Sequence, residues 1–253
     1  MFRGLSQTLG TRIGELHQAF ALPVEDPAFR PEPVTESDIE TWKTLIRQQA
    51  AQAETALRRV FEAGTLTSDT RFDLETLLGR WAEIDKTIES ALPQLPEINK
   101  TRLHGDIHLG QVVVVRDDFY ILDFEGEPLR NMEERRAKHS PLRDVAGMLR
   151  SFSYAAKTAL QQRGNQRPEK RKQLARGIDE WERQISRAFL DSYRAAAVGC
   201  SSIPADDATF QRLLDLFLLE KALYEICYEA SNRPEWIAIP MYGVLRLLSQ
   251  RRY

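Results

Sequence analysis

The chain has 253 residues, and its 35 basic and 37 acidic side chains leave a net charge of −2. This balance excludes the strongly basic surface typical of nucleic-acid-binding proteins and gives no attraction to an anionic membrane, so neither partner is expected. No apolar run approaches the roughly 20 residues of a membrane span. With only Cys200 and Cys227 as cysteines, we expect reduced thiols in a cytoplasmic protein, folded as one domain over residues 1–253.

The amino-terminal part of the chain is predicted to be helical. An apolar stripe with three- and four-residue spacing predicts a helix over residues 5–20. Thr35, followed by Asp38, matches a variant of the capping box that opens a long helix. With a second helix over 69–91, it forms a predicted helical hairpin at 35–95.

Residues 101–125 contain the most informative pattern in the chain. A short strand leads into HGDIHLGQ, and the runs VVVV and FYIL then predict a β-hairpin. Asp106 is followed five positions later by Gln111, and Asp123 comes directly after the second run. Kinase catalytic loops use the same layout, with an Asp at the acceptor hydroxyl, an amide five residues later and then a metal-binding Asp. The spacing therefore predicts a phosphoryl-transfer site.

The chemistry of magnesium explains these residue types. Mg²⁺ prefers oxygen ligands and takes only a few of them from protein. Gln111 and Asp123 are the expected metal ligands, which leaves Asp106 as the catalytic base that orients the attacking hydroxyl. ATP is the expected co-substrate. A simpler interpretation is that both aspartates are turn residues flanking the hairpin, whose reversal is predicted at Asp117-Asp118.

Two histidines in the same segment allow a rival interpretation. His104, Asp106 and His108 form a His-x-Asp-x-His pattern that suits a transition metal, so a metal-dependent phosphohydrolase is an alternative. Only two other histidines are present in the chain, so a full ligand set would need further carboxylates. The more common role for such histidines is to shape the loop through hydrogen bonds.

A helical subdomain is predicted over 140–253. Ser140 and Pro141 mark a helix start, and further helices are predicted over 169–197, 206–231 and 234–251. Asp144 lies beside the apolar face of the first of these helices. A carboxylate there also interacts favourably with the helix dipole, which is a purely structural explanation for it.

The chain resembles the maltokinases, a branch of the kinases with an aminoglycoside-phosphotransferase-like fold. The resemblance is carried by HGDIHLGQ, by DFEGEPLRNMEERRAKHSPLRDVAGMLRSFSY and by EKALYEICYEASNRPEWIAIP, and it extends from about Leu5 to about Leu248. It implies phosphorylation of maltose to maltose 1-phosphate by ATP. It also implies that Asp144 braces the catalytic loop, and that residues 35–95 are an insertion that binds the acceptor or braces the core.

The resemblance also points to sugar-binding residues in the helix at 206–231. Lys221 and Tyr224 are the implied maltose contacts, and Glu220 and Glu225 lie on the same side of that helix. Directional polar groups beside an aromatic face suit a sugar. A surface set of ion pairs is the alternative interpretation of these four residues.

One departure from the resembling kinases concerns the nucleotide. No glycine-rich phosphate-binding motif and no strand with a phosphate-binding lysine precede the catalytic loop. We therefore expect a mainly α structure with a small β-hairpin: a protein-kinase-like carboxy-terminal lobe lacking the amino-terminal β lobe, and inactive alone. The missing lobe and a fused or associated trehalose synthase are the implied partners. A non-catalytic kinase-shaped module that binds a sugar or a partner remains an alternative.

Overall fold

The structure is a computed structural model of the chain, and it describes residues 2–92, 94–127, 131–161 and 168–249. Its elements in chain order are α1 (Phe2–Phe20), β1 (Glu32–Pro33), α2 (Glu36–Ala63), α3 (Ser68–Gly79), α4 (Ala82–Ser90), β2 (Asn99–Lys100), β3 (Val112–Val115), β4 (Asp118–Ile121), α5 (Met132–Arg136), α6 (Leu142–Gln161), α7 (Pro168–Ala196), α8 (Asp207–Asn232) and α9 (Ala238–Leu248). Helices dominate. The strands form two antiparallel pairs, β1 with β2 and β3 with β4.

The chain divides into two compact units. The first unit contains Met1–Pro33 and Ile98–Ala205, and the second contains Val34–Glu97 and Asp206–Arg252. Each unit is therefore built from two separated stretches of sequence. The predicted catalytic segment lies in the first unit, and the predicted sugar contacts lie in the second.

Close packing of α1 against α7 is the main feature of the first unit. Gly10 and Gly14 face α7 so closely that an added Cβ would lie 2.3 Å from the carbonyl oxygen of Phe189 and 2.9 Å from that of Tyr193, respectively. Only glycine fits at such distances. The Ser6 hydroxyl donates to the Ile185 carbonyl oxygen across the same interface, at 2.7 Å. The two helices are therefore held in a single register.

The second unit packs α2, α3, α8 and α9 around an apolar core. The ring of Trp42 on α2 meets the ring of Phe217 on α8 edge to face, with centroids 5.7 Å apart. Leu57, Leu77 and Ile84 are completely buried. Burial of side chains this large stabilises a fold by roughly 1.5–3 kcal/mol each.

Several predicted helix ends are observed, and one predicted helix is broken. The capping box of Thr35 and Asp38 is present at the start of α2. The helix predicted over 69–91 ends at Gly79 and begins again at Ala82. The Arg80 guanidinium between them donates to Glu83 at 2.8 Å and to the Leu248 carbonyl oxygen at 2.9 Å, which ties the break to the end of α9.

The carboxy-terminal helix also differs from its prediction. A 3₁₀ turn at Pro234–Trp236 precedes α9, because proline cannot donate the hydrogen bond that would continue a helix. Residues 250 and 251 of the predicted helix lie outside the described residues. Among the helices that the structure describes, none is long and apolar enough to cross a membrane.

Candidate functional site

Asp144 holds the loop that carries Asp106. Its side chain, on the first turn of α6, is completely enclosed and accepts the backbone N–H groups of His104 and Gly105, both at 2.9 Å. Burial acts to raise the pKa of Asp144, but the hydrogen bond from His17 and the contacts with the loop hold it below the usual range. The carboxylate therefore stays ionised and fixes two successive amides of the loop. These contacts fit the loop-bracing role expected for Asp144, which stays a prediction.

His104 connects the loop to the end of the hairpin. Its Nε2 donates to the Leu122 carbonyl oxygen at 2.7 Å, and its Nδ1 accepts the Asp106 N–H at 3.3 Å. Because one nitrogen donates and the other accepts, the ring is in the neutral tautomer with its proton on Nε2. The His104 ring also packs on Phe124, with centroids 4.8 Å apart. These contacts fit the predicted loop-shaping role.

His108 begins a 3₁₀ turn at Leu109–Gln111. Its Nδ1 accepts the Gly110 N–H at 3.0 Å, and its carbonyl oxygen accepts the Gln111 N–H at 2.9 Å. The Leu109 N–H donates to the Ser151 hydroxyl on α6, also at 2.9 Å. Gln111 is the last residue of this turn and directly precedes β3.

Gln111 and Asp123 meet at the open end of the hairpin. The Gln111 Nε2 donates to Asp123 Oδ2 at 2.9 Å, and the Leu122 N–H donates to the Gln111 carbonyl oxygen at the same distance. The Asp123 side chain is exposed. Its backbone is left-handed, with φ of 63°. A carboxylate and an amide oxygen, side by side and open to solvent, are donors that suit Mg²⁺ together with water ligands.

The hairpin turn lies one residue earlier than predicted. Arg116 and Asp117 both have positive φ, of 52° and 65°, as a two-residue type I′ turn requires. Asp118 instead pairs with Val115 at the ends of the strands. Its carboxylate receives two hydrogen bonds from Arg12 on α1, at 2.7 and 2.9 Å. The hairpin is thus tied to α1 as well as to the loop.

The predicted sugar contacts lie together on α8 in the second unit. The Lys221 ammonium is 4.9 Å from the centre of the Tyr224 ring. Glu225 is 8% exposed, and Glu220, Lys221 and Tyr224 are half-buried. A polar and aromatic group of this kind is present as expected, and its function remains a prediction.

The rival metal site is not assembled. Both ring nitrogens of His104 are used in hydrogen bonds within the loop, and Nδ1 of His108 is used in the same way. Over the parts of the chain that the structure describes, no group of three or more His, Cys, Asp or Glu side chains is arranged to hold a metal ion.

Three residues that position the site were missed from the sequence. Arg12 and His17 lie on α1, and Tyr193 lies on α7, where its hydroxyl is 2.9 Å from His17 Nδ1. The available signal was the Gly10-x-x-x-Gly14 spacing, which is typical of closely packed helices. It identifies an interface but not the helix that fills it.

The chain is similar to glucosamine kinases. Relatives with this name are 25% identical over 243 residues, from Streptacidiphilus jiangxiensis, and 27% identical over 245 residues, from Mycolicibacterium smegmatis. Each match covers 96% of this chain but only 49% and 53% of the relatives, respectively. The chain therefore spans about half the length of the curated relatives it matches. No family model matches it.

Solved structures of glucosamine kinases have the same fold. One crystal form is 23% identical with a TM-score of 0.76, and the match covers 97% of this chain and 54% of that one. A glucosamine kinase in complex with glucosamine, ADP and inorganic phosphate is 22% identical with a TM-score of 0.77, and the match covers 97% and 55% of the two chains.

These similarities correct the maltokinase assignment. The relatives are named glucosamine kinases, so the assignment as a maltokinase lobe, with its maltose acceptor and its trehalose synthase partner, is wrong, and the expectation of an inactive lobe that rested on it is withdrawn. The physical reason is that the pattern around Asp106 and Asp123 was predicted from the demands of phosphoryl transfer, which kinases with different acceptors share. The fold of this chain is that of the glucosamine kinase structures.

Proposed function

We propose that this chain carries the catalytic loop of an ATP-dependent sugar kinase whose acceptor is glucosamine. The observation that carries the proposal is the hydrogen bond from Gln111 Nε2 to Asp123 Oδ2, at 2.9 Å. The neighbouring loop, which carries Asp106, has two backbone amides bound by Asp144. Similarity to glucosamine kinases over 96% of the chain supports the acceptor.

Asp106 would act on the acceptor hydroxyl. In the proposed reaction, this hydroxyl attacks the γ-phosphorus of ATP, its proton passes to the Asp106 carboxylate, and the bond to the ADP oxygen breaks. The base needs no unusual pKa, since most of the rate in kinases comes from positioning and charge stabilisation. The Asp106 N–H is already held by His104, which fits that positioning role.

Gln111 and Asp123 would hold magnesium. A bound Mg²⁺ supplies positive charge that neutralises the phosphate oxygens during transfer. The two side chains can offer only two oxygen ligands, so water and phosphate would complete the coordination. The exposure of Asp123 is consistent with that arrangement.

The carboxylates on α8 suit an amino sugar. Glucosamine carries an ammonium group near neutral pH, and Glu220 and Glu225 provide negative charge on the same helix as the Tyr224 ring. Carboxylates and aromatic faces both attract cations. We therefore keep Glu220, Glu225, Lys221 and Tyr224 as sugar-binding candidates, with the ammonium as the group that the carboxylates recognise.

The proposed function is tested by measuring ADP formation with Mg²⁺, ATP and glucosamine. Asp106→Asn should lower kcat by about 100-fold or more, because it removes the group that accepts the proton. Asp117→Asn is the matched control in the hairpin turn and should retain full activity. Absence of glucosamine-dependent turnover in the parent protein, or full activity in Asp106→Asn, would overturn the proposal.

A further inference from the structure

We propose that His17 and Tyr193 are positioning residues that fix the catalytic loop through Asp144. They form a chain of buried hydrogen bonds, from the Tyr193 hydroxyl through the His17 ring and the Asp144 carboxylate to the loop amides. The inference rests on the proposed function only in taking the Asp106 loop as catalytic.

The geometry of this chain is continuous. The Tyr193 hydroxyl lies 2.9 Å from His17 Nδ1, and His17 Nε2 lies 3.3 Å from Asp144 Oδ2. The same Oδ2 accepts the His104 N–H, and Oδ1 accepts the Gly105 N–H. His17 and Tyr193 are completely buried. Water therefore cannot replace a lost partner without entering the core.

The polarity of the chain follows from the charge on Asp144. A carboxylate only accepts hydrogen bonds, so Nε2 of His17 carries a proton, and in the neutral ring Nδ1 is then the acceptor. Burial and the charge of Asp144 raise the pKa of Tyr193 well above its usual value, so its hydroxyl stays protonated and can donate to Nδ1. The charge on Asp144 thereby sets the His17 tautomer, and that tautomer sets the direction of the hydrogen bond with Tyr193.

Close helix packing places the two residues together. Gly14 and Tyr193 are in direct contact at the α1–α7 interface, where a Cβ on Gly14 would be 2.9 Å from the Tyr193 carbonyl oxygen. His17 follows Gly14 by three residues and so lies one turn further along the same face. The Tyr193 ring is also held by Phe189, with the rings stacked at 6.3 Å between centroids. The hydroxyl is therefore aimed at His17 by packing on both sides.

A loss of the Tyr193 hydroxyl should have a local effect on the loop. Without its donor, His17 Nδ1 is an unsatisfied buried acceptor, and the ring loses one of the two hydrogen bonds that orient it. Asp144 then loses a fixed donor and holds the two loop amides less firmly. A role limited to packing would instead weaken the whole α1–α7 interface evenly.

The test is amide hydrogen exchange of the full chain, measured by NMR in Tyr193→Phe. We expect exchange at the His104 and Gly105 amides to become about 10-fold faster, as loss of one buried hydrogen bond would produce. Ser186→Ala is the matched control, because Ser186 is also completely buried on α7 and its hydroxyl has no hydrogen-bond partner among the residues that the structure describes. Unchanged exchange at both loop amides in Tyr193→Phe, or equal acceleration throughout α6 and α7, would overturn the inference.

Two variants of His17 give an independent comparison. A glutamine side chain keeps an N–H donor for Asp144, whereas leucine keeps only the bulk. Loop-amide protection should therefore be retained better in His17→Gln than in His17→Leu. Equal protection in the two variants would contradict a positioning role.

Activity assays separate this inference from the proposed function. If the parent protein phosphorylates glucosamine, Tyr193→Phe should lower kcat several-fold while KM for ATP stays constant, and a change confined to KM would count against the inference. If the parent shows no turnover, the proposed function fails. The exchange measurements would still decide whether His17 and Tyr193 hold the loop.

Discussion

Asp144 shows how a single buried charge organises the candidate site. Moving a carboxylate out of water is costly unless it is well hydrogen-bonded. Asp144 has a hydrogen bond from His17 and two from backbone amides, and these outweigh the effect of burial and lower its pKa. The residue is thus a stabilising charge as well as a support for the loop.

Replacing Asp144 should have a pH-dependent effect on stability. A folded-state pKa below the unfolded value near 4 means that the ionised group stabilises the fold above about pH 4 and that this contribution is lost as the pH falls through the lowered pKa. Asp144→Asn should therefore cost about 3 kcal/mol at pH 7 and less at pH 3. Urea unfolding at both pH values measures the difference in the free energy of unfolding between the parent and the variant. A difference that is not smaller at pH 3 would contradict an ionised, stabilising Asp144.

The left-handed backbone of Asp123 permits a sharply controlled test of metal binding. Asparagine tolerates positive φ, so Asp123→Asn should keep the fold while removing the charged metal ligand. Broadening of nearby NMR signals by Mn²⁺, used in place of Mg²⁺, should be lost in this variant. Asp117→Asn is the same change at φ of 65° and should leave the broadening intact. Retained broadening in Asp123→Asn would remove Asp123 from the metal site.

At the scale of elements, α1 connects the candidate site to the rest of the first unit. It packs on α7 through two glycines, bonds the hairpin through Arg12 and reaches Asp144 through His17. An apolar stripe predicted this helix, and the prediction is confirmed. Its polar connections were not predicted, because each of them depends on a partner more than 100 residues away.

Adding one methyl group to α1 should have opposite effects at two of its glycines. A Cβ at Gly10 would lie 2.3 Å from the Phe189 carbonyl oxygen, whereas a Cβ at Gly4 would meet no atom of the described residues within 4 Å. Gly10→Ala should therefore destabilise the protein by about 1–3 kcal/mol, as overpacking does. Gly4→Ala should be neutral or stabilise the helix by up to about 1 kcal/mol. Thermal unfolding of the two variants tests this, and equal stabilities would refute the close packing.

At the scale of the whole molecule, the two compact units have different proposed functions. The loop and hairpin belong to the first unit, and the α8 cluster belongs to the second. Residues 34–97 and 206–252 make one unit although the whole catalytic segment separates them in sequence. A ligand that binds only the folded protein stabilises the whole molecule by mass action.

Glucosamine should therefore raise the melting temperature in the presence of Mg²⁺ and ADP. At a concentration of 100 times Kd the stabilisation is about 2.7 kcal/mol, and each kcal/mol raises Tm by about 2–4 °C in a protein of this size. Maltose should produce no such shift. Glu225→Gln should reduce the glucosamine shift, and the exposed Glu62→Gln on α2 should not. An equal response to both sugars would contradict recognition of the amino group.

The acceptor could not be chosen from the sequence. Two of the three segments that suggested a maltokinase contain Asp106 and Asp123, and phosphoryl transfer would make the same demands on those two residues whichever hydroxyl is attacked. Acceptor choice depends on the shape and charge of a pocket. A short motif carries almost none of that information.

Local features were determined by the sequence itself. The helical stripes, the capping box at Thr35 and a hairpin between Gln111 and Asp123 all follow from patterns within a few residues, and all are present. Only the tertiary structure decided that His17 and Tyr193 form a chain of hydrogen bonds with Asp144. They are 176 residues apart, and only the packing of one helix against another brings such residues within hydrogen-bonding distance.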